Sequence, residues 1–167
     1  MKQLMFTCGL PRSGKTTLRN YIVENTDLFI ISADEIRMLV YGQRFFKQGE
    51  EIVWSIRNKI LEYMLQQNKT ILIDETNTSI RRRKPIIELA NFFKCNATCL
   101  YLETPLDICL KRCLNDDSLK AVIERQNKYF SIPLPEEGAD IIKLNHNKKL
   151  EDNEMLKCLI NHLNCII

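Results

Sequence analysis

No stretch of this 167-residue chain stays apolar for the roughly 18 to 20 residues that a bilayer-spanning helix needs. The N-terminal apolar run, Leu4 to Cys8, is shorter than the core of a signal peptide, so a cytoplasmic protein is expected. Linker-like Ser-, Gly- or Pro-rich segments and internal repeats are missing too. With 45% hydrophobic residues to build a core, one compact domain over residues 1–167 is the expectation. The net charge is only +3, too small to identify a nucleic-acid partner yet compatible with a locally basic groove. Neither N-K-x-D nor D-x-x-G occurs, which removes the guanine reader and γ-phosphate sensor of a regulatory GTPase.

Cysteine is not scarce: there are seven, an odd number. Cys95-x3-Cys99 and Cys109-x3-Cys113 have a spacing that a zinc site can use, but Cys99 falls in an apolar strand pattern and Cys109 and Cys113 in a helical one. Buried core thiols in a reducing compartment are the preferred reading.

Short apolar runs alternate with longer helical ones, the pattern of an α/β domain with a mostly parallel sheet. Strands are expected at Gln3–Cys8, Leu28–Ser32, Thr70–Asp74, Ala97–Leu102 and Asp140–Leu144. Helices are expected at Lys15–Asn25, Ala33–Tyr41, Glu50–Gln67, Ile80–Lys94, Leu106–Asn115 and Glu151–Asn164, with Pro85 blurring the start of the fourth. In the long third helix Val53, Ile56, Ile60 and Met64 form the apolar stripe, and Trp54 reads as packing. Residues 116–135 are polar and closed by Pro133 and Pro135, which reads as a mobile lid. The C-terminal helix carries Leu156, Leu159, Ile160 and Leu163 for packing on this domain or on another copy.

Directly after the first strand stands Gly9-Leu10-Pro11-Arg12-Ser13-Gly14-Lys15-Thr16, which satisfies G-x4-G-K-[ST] and runs into a helix at Thr17. Glycine lets such a loop curl so that successive amide N–H groups hold phosphate oxygens at a helix N-terminus. In this Walker A loop Gly9, Pro11, Arg12, Ser13, Gly14, Lys15, Thr16 and Thr17 are the candidate nucleotide-binding residues. Lys15 would reach the β- and γ-phosphates, and Thr16 would offer its hydroxyl to Mg²⁺. Arg12 is an unusual insert, either meeting a substrate phosphate or facing solvent.

After the second strand, Asp34 and Arg37 lie three apart and share a helix face at the carboxyl edge of the sheet, where ligands of open α/β folds bind. Asp34 is placed to take the proton of an attacking hydroxyl. Equally, Ser32 and Glu35 read as a capping box, with Asp34 serving the helix dipole. The third strand ends in Asp74, the preferred Mg²⁺ partner, with Glu75 as the alternative if the strand turns one residue early. Arg81, Arg82, Arg83 and Lys84 then crowd a helix start, an arrangement unfavourable to the dipole unless an anion compensates, although charge runs are commonly solvated faces. From the lid, Arg125 is the candidate to meet the transferring phosphoryl group, Arg112 to lie along the nucleotide base, and Lys120 to reach a phosphate.

Together Gly9-x4-Gly14-Lys15-Thr16, Asp34-x2-Arg37, Asp74-x-Thr76-Asn77 and Arg125 resemble the kinase domain of polynucleotide 5′-hydroxyl kinases and the small P-loop kinases around them. The resemblance spans most of the chain. It implies a three-layer α/β/α sandwich like that of the nucleoside monophosphate kinases, with a five-stranded parallel sheet and a helical lid. It also implies ATP and Mg²⁺ held by Lys15 and Thr16, Asp34 as general base, Arg37 on the phosphate beside an acceptor 5′-hydroxyl of DNA or RNA, and Arg125 on the transferring group. Nucleic-acid repair is the setting that follows. The alternatives are a kinase of a small hydroxylated metabolite, nucleoside or antibiotic, since D-x-x-R also occurs there and in kinases of aminoacylated transfer RNA, and a nucleotide-binding regulatory module. No D-x-D is present for an accompanying phosphatase.

Overall fold

The computed structural model describes residues 2–43 and 47–165. Among these, five parallel strands form one sheet in the order β2-β3-β1-β4-β5: β1 Gln3–Cys8, β2 Phe29–Ile31, β3 Ile71–Ile73, β4 Asn96–Glu103 and β5 Asp140–Asn145. The helices are α1 Lys15–Asn25, α2 Ala33–Tyr41, α3 Glu50–Gln66, α4 Ile80–Phe92, α5 Leu106–Lys111, α6 Asp117–Lys128 and α7 Glu154–Asn164. This is the expected P-loop kinase-like sandwich.

Strand pleating sorts the core into two faces. Leu4, Phe6, Cys8, Ile71, Ile73, Ala97, Cys99 and Tyr101 face α2, α3 and α4. Met5, Leu72, Leu100, Leu102, Ile142 and Leu144 face α1 and α7, where Leu156, Leu159, Ile160 and Leu163 bury their side chains on this same sheet. β2 and β3 are shorter than expected. Ser32 leaves the sheet to stand at the N-cap of α2, and Asp74 follows the last residue of β3. β4 is longer, because its neighbours β1 and β5 pair with it from Asn96 to Glu103 between them.

Three expectations need correction. On α3 Val53 is buried and Trp54, Ile56 and Met64 pack partly buried against the core as expected, but Arg57, Leu61 and Leu65 complete the buried face and Ile60 is exposed. An apolar template skips an arginine, so it turned the stripe by one residue, about 100° around the helix. Next, α5 ends at Lys111 and not at Asn115, while α6 is the helix of the expected helical lid. Asp116 caps it by accepting the Leu119 N–H at 3.0 Å, and Ile123 is its buried residue, packed with Leu10, Cys109 and Cys113. Finally, α7 starts at Glu154, because a short 3₁₀ turn at Leu150–Asp152 precedes it and the Asn153 side chain caps it.

Cys95 and Cys99 lie in the core on the α4 side, Cys109 and Cys113 in the small cluster beneath α6. α4 begins at Ile80 as expected and runs through Pro85. Among the described residues no helix is long and apolar enough to cross a membrane.

Candidate active site

Every candidate group descends from a carboxyl end of the sheet. β1 delivers the loop 9–14, and β3 its partner: Gly9 N–H donates to Thr76 O at 2.9 Å, and Asn77 Nδ2 to Thr7 O at 2.9 Å. The Asn77 side chain is thus a latch between the two loops, one that the D-x-T-N string contained without showing its purpose. Gly9 is required by space, since a Cβ there would lie 2.7 Å from Ser13 Oγ. Gly14 is required by its left-handed φ of 109°. Arg12 is also left-handed and exposed, at the apex of the loop.

Lys15 Nζ donates to Gly9 O at 3.1 Å and Leu10 O at 2.8 Å, so the ammonium sits inside the loop that it follows. Burial lowers its pKa to about 8, against the opposing pull of Asp74, Cys109, Cys8 and Asp34. Thr16 and Thr17 open α1 and are exposed. Thr104 Oγ1 donates to Ser13 O at 2.8 Å, and Arg112 Nη1 to Arg12 O at 3.1 Å. Arg112 therefore braces the loop apex.

Register settles which acid faces which way. The Asp74 carboxylate lies 3.5 Å from Thr7 Oγ1, and its nearest cation in an ion pair is Arg19, at 3.9 Å. Burial pushes its pKa up, with Lys15 and Arg19 pulling the other way. Glu75 turns to the opposite side, to Arg57 Nε at 3.1 Å, and burial raises its pKa as well. Asp74, in the field of Lys15 and Arg19, and the Thr16 hydroxyl on the helix after β1 are hard oxygen donors of the kind that Mg²⁺ takes. Their chemistry suits such an ion, and Glu75 is committed to Arg57.

Asp34 and Arg37 share a face of α2 as expected. Arg37 Nη1 donates to Asp34 Oδ1 at 2.6 Å, while its Nε and Nη2 form a two-pronged bond to Glu50 at 2.7 and 2.8 Å. The Asp34 side chain is 70% exposed, and its charge is felt at both Lys15 and Asp74. No capping box forms: the Ser32 side chain makes no cap bond, and Glu35 pairs with Arg19 on α1. The helix start is thereby tied to the phosphate-loop helix.

Beside Arg37 lies a cluster that sequence reasoning missed. Trp54, half-buried on α3, has the guanidinium carbons of Arg37, Arg57 and Arg82 at 5.8, 5.8 and 5.7 Å from its ring centre. Glu50, Trp54 and Arg57 are spaced i, i+4, i+7 on α3, the available signal. The basic run 81–84 does not act as one patch. Arg83 is fully buried, bonded to Glu137 through two nitrogens at 2.7 Å each and to Asn77 O and Ser131 O. Arg82 turns to Trp54, and Arg81 and Lys84 are exposed.

On α6, Arg125 is exposed and has no hydrogen-bond or ion-pair partner among the described residues; Lys120 pairs with Asp117 at 2.9 Å. The structure does not bring Arg125 into contact with the loop.

Residues 4–130 match the model of an AAA domain family, AAA_33. The L-seryl-tRNA(Sec) kinase of Methanococcus maripaludis is 25% identical over 164 residues, covering 92% of this chain and 63% of that protein. A chain of the Pnkp1/Rnl/Hen1 complex superposes with a TM-score of 0.62 at 21% identity, over 69% of this chain and 40% of its own length. A gluconokinase from Sinorhizobium meliloti 1021 superposes with a TM-score of 0.64 at 13% identity, over 97% and 95%. The chain thus spans less than two thirds of the first two of these relatives.

Proposed function

Because the chain belongs to the AAA domain family AAA_33 and carries a P-loop kinase-like fold, we propose that it is an ATP-dependent phosphotransferase whose acceptor is the 5′-hydroxyl of a polynucleotide. The observation that carries this reading is the shared edge of the sheet: a phosphate-binding loop with Lys15 after β1 and an Asp34–Arg37 pair after β2, close enough for Asp34 to act on Lys15 through its field.

In the proposed reaction the loop amides and Lys15 bind the triphosphate tail of ATP. Asp34 accepts the hydroxyl proton at its carboxylate, the freed oxygen attacks the γ-phosphorus, and ADP departs. Arg37, held from behind by Glu50, keeps its Nη1 edge toward Asp34, where it can orient the phosphate next to that hydroxyl. Mg²⁺ held by Thr16 and Asp74 would neutralise charge on the β- and γ-phosphates. The segment 116–135 acts in this reading as a lid that must move to bring Arg125 to the transferring group. Soluble cytoplasmic nucleic-acid repair is the setting proposed.

A second reading has its own support. The seryl-tRNA kinase likeness points to a hydroxyl carried on a transfer RNA, an acceptor that also brings phosphodiesters to Arg37. The test supplies labelled ATP and Mg²⁺ with a 5′-hydroxyl oligonucleotide, seryl-tRNA or a panel of small alcohols. Label is expected on the oligonucleotide terminus. Label confined to seryl-tRNA moves the acceptor to the second reading, and label on a small alcohol alone removes both.

Lys15 gives a pH test. With its pKa at about 8 and the charged form needed for phosphate binding, ATP affinity should be level below that pH and weaken above it. The weakening should be roughly fivefold between pH 8 and pH 9, with a proton taken up on binding. Titration calorimetry at pH 9 in two buffers of different ionisation enthalpy measures that uptake. An affinity flat from pH 7 to 9.5 would reject it.

A further inference from the structure

The Trp54 cluster contains more positive charge than the proposed chemistry uses. Two of its three guanidiniums are paired, Arg37 with Glu50 and Asp34, and Arg57 with Glu75 and Asn58. Arg82 has neither a hydrogen bond nor an ion pair among the described residues, and acts on Glu50 and Glu75 only through space. It stands on the first turn of α4, where the helix dipole disfavours a cation and where no acid offsets it. An indole has two faces, and three guanidiniums share this one. Asp34, Glu50 and Glu75 balance the three cations in number, but Arg82 alone has no carboxylate in contact, so its exposed guanidinium is left open to an anion at the mouth of the cluster.

Position says which anion. Two guanidiniums each within 5.8 Å of one ring centre can be no further apart than twice that distance. Arg82 therefore lies a short span from Arg37, the residue beside Asp34.

We propose that Arg82 and Trp54 form a second phosphate subsite, which holds an internal phosphodiester of a single-stranded nucleic-acid acceptor while Arg37 holds the one nearest its terminal hydroxyl. The subsite rests on the polynucleotide reading above. It makes acceptor length a determinant of specificity: a nucleoside lacking phosphates engages neither arginine, a 3′-phosphorylated nucleoside engages Arg37 alone, and a longer strand engages both.

Trp54 is the only tryptophan in the chain, so its emission reports on this place without interference. In the absence of ATP, titration with a short 5′-hydroxyl oligonucleotide should change Trp54 emission saturably. In Arg82→Ala the affinity should fall about five- to tenfold, and the slope of log affinity against log salt should shrink by about 0.7. Turnover should follow: KM for the oligonucleotide rises and kcat holds, KM for a 3′-phosphorylated nucleoside is unmoved, and Arg82→Lys recovers part of the loss. Arg82 is exposed, so neither variant threatens the core.

Oligonucleotide binding that leaves Trp54 emission unchanged, or an Arg82→Ala protein with the parent's affinity and salt slope, would overturn the subsite even if phosphorylation proceeds normally. A Trp54 response that Arg82→Ala weakens, with no label reaching the oligonucleotide, sustains the subsite and strikes the proposed reaction instead. A response to folded transfer RNA but not to the oligonucleotide overturns the single-strand assignment.

Discussion

Phosphoryl transfer by an Asp34→Asn variant is expected to fall by about 10² to 10⁴ in kcat, the range associated with a positioned general base. The substitution preserves shape and removes the proton acceptor. Arg37 should stay where it is, because two of its nitrogens remain bound to Glu50 at 2.7 and 2.8 Å when the Asp34 contact weakens. KM for the acceptor should therefore change by less than about threefold, since the bidentate arm carries the positioning. ATP affinity should not fall either, since the Asp34 charge opposes a polyanion in the field of Lys15. The measurement is single-turnover transfer at saturating ATP together with equilibrium dialysis of the nucleotide. A variant within tenfold of the parent would remove Asp34 from the chemistry and reduce it to a positioning acid for Arg37.

What could be read in the chain divides by how far apart the cooperating residues lie. The phosphate loop is eight consecutive residues between a strand and a helix, so its composition, order and setting occupy one line of sequence. Asp34 and Arg37 were legible for a related reason: three positions on a helix fix a shared face whatever the tertiary structure does. Sheet membership followed from nearly continuous apolar runs, as buried parallel strands require. Strand ends were less legible. Ser32 and Asp74 are the points where loop duties begin, and hydropathy does not register a change of duty.

The Trp54 cluster shows the opposite case. It draws Arg37 from α2, Trp54 and Arg57 from α3, and Arg82 from α4, and only the α3 pair has a fixed spacing. An apolar stripe search counted Trp54 as packing and passed over Arg57, which is buried where a leucine would ordinarily stand. Apolar periodicity did not mark α6 either, and a helix in the lid was expected only from the family resemblance. Its residues are mostly polar, and one buried isoleucine with the partly buried Leu119 is too little periodic signal to mark a helix. Charge runs fail differently. Arg81 to Lys84 read as one basic stretch, yet each step around α4 turns about 100°, and the four cations go to solvent, Trp54, the core and solvent.

That rotation gives Arg83 the largest stability role assigned to a single side chain in this molecule. Its side chain is completely buried and joins two loops: the segment 131–137, through Glu137 by two bonds and Ser131 by its carbonyl and hydroxyl, and the loop after β3, through the Asn77 carbonyl. Truncation would leave the Glu137 carboxylate buried without its cation, the Ser131 carbonyl without its donor and the Asn77 carbonyl with only the Cys8 thiol. Arg83→Met should therefore cost about 3–5 kcal/mol, the cost of breaking a buried pair from one side. Removing both charges in Arg83→Met/Glu137→Leu should return a large part of that loss, because no unpaired ion remains. Burial alone would push the Glu137 carboxyl up, and the Arg83 bonds reverse this and hold it below its ordinary value. A depressed carboxylate stabilises the fold above its unfolded pKa of about 4.3 and loses that contribution as pH falls through the folded value. The stability gap between the parent and Arg83→Met should thus be widest at neutral pH and narrow below about pH 4. Urea unfolding of the parent, the single and the double variant at pH 7 and pH 3 measures these differences. A single variant that loses less than about 1 kcal/mol, or a gap indifferent to pH, would mean that Glu137 finds water when Arg83 is gone, and that the loop 131–137 is anchored by Ser131 and not by this ion pair.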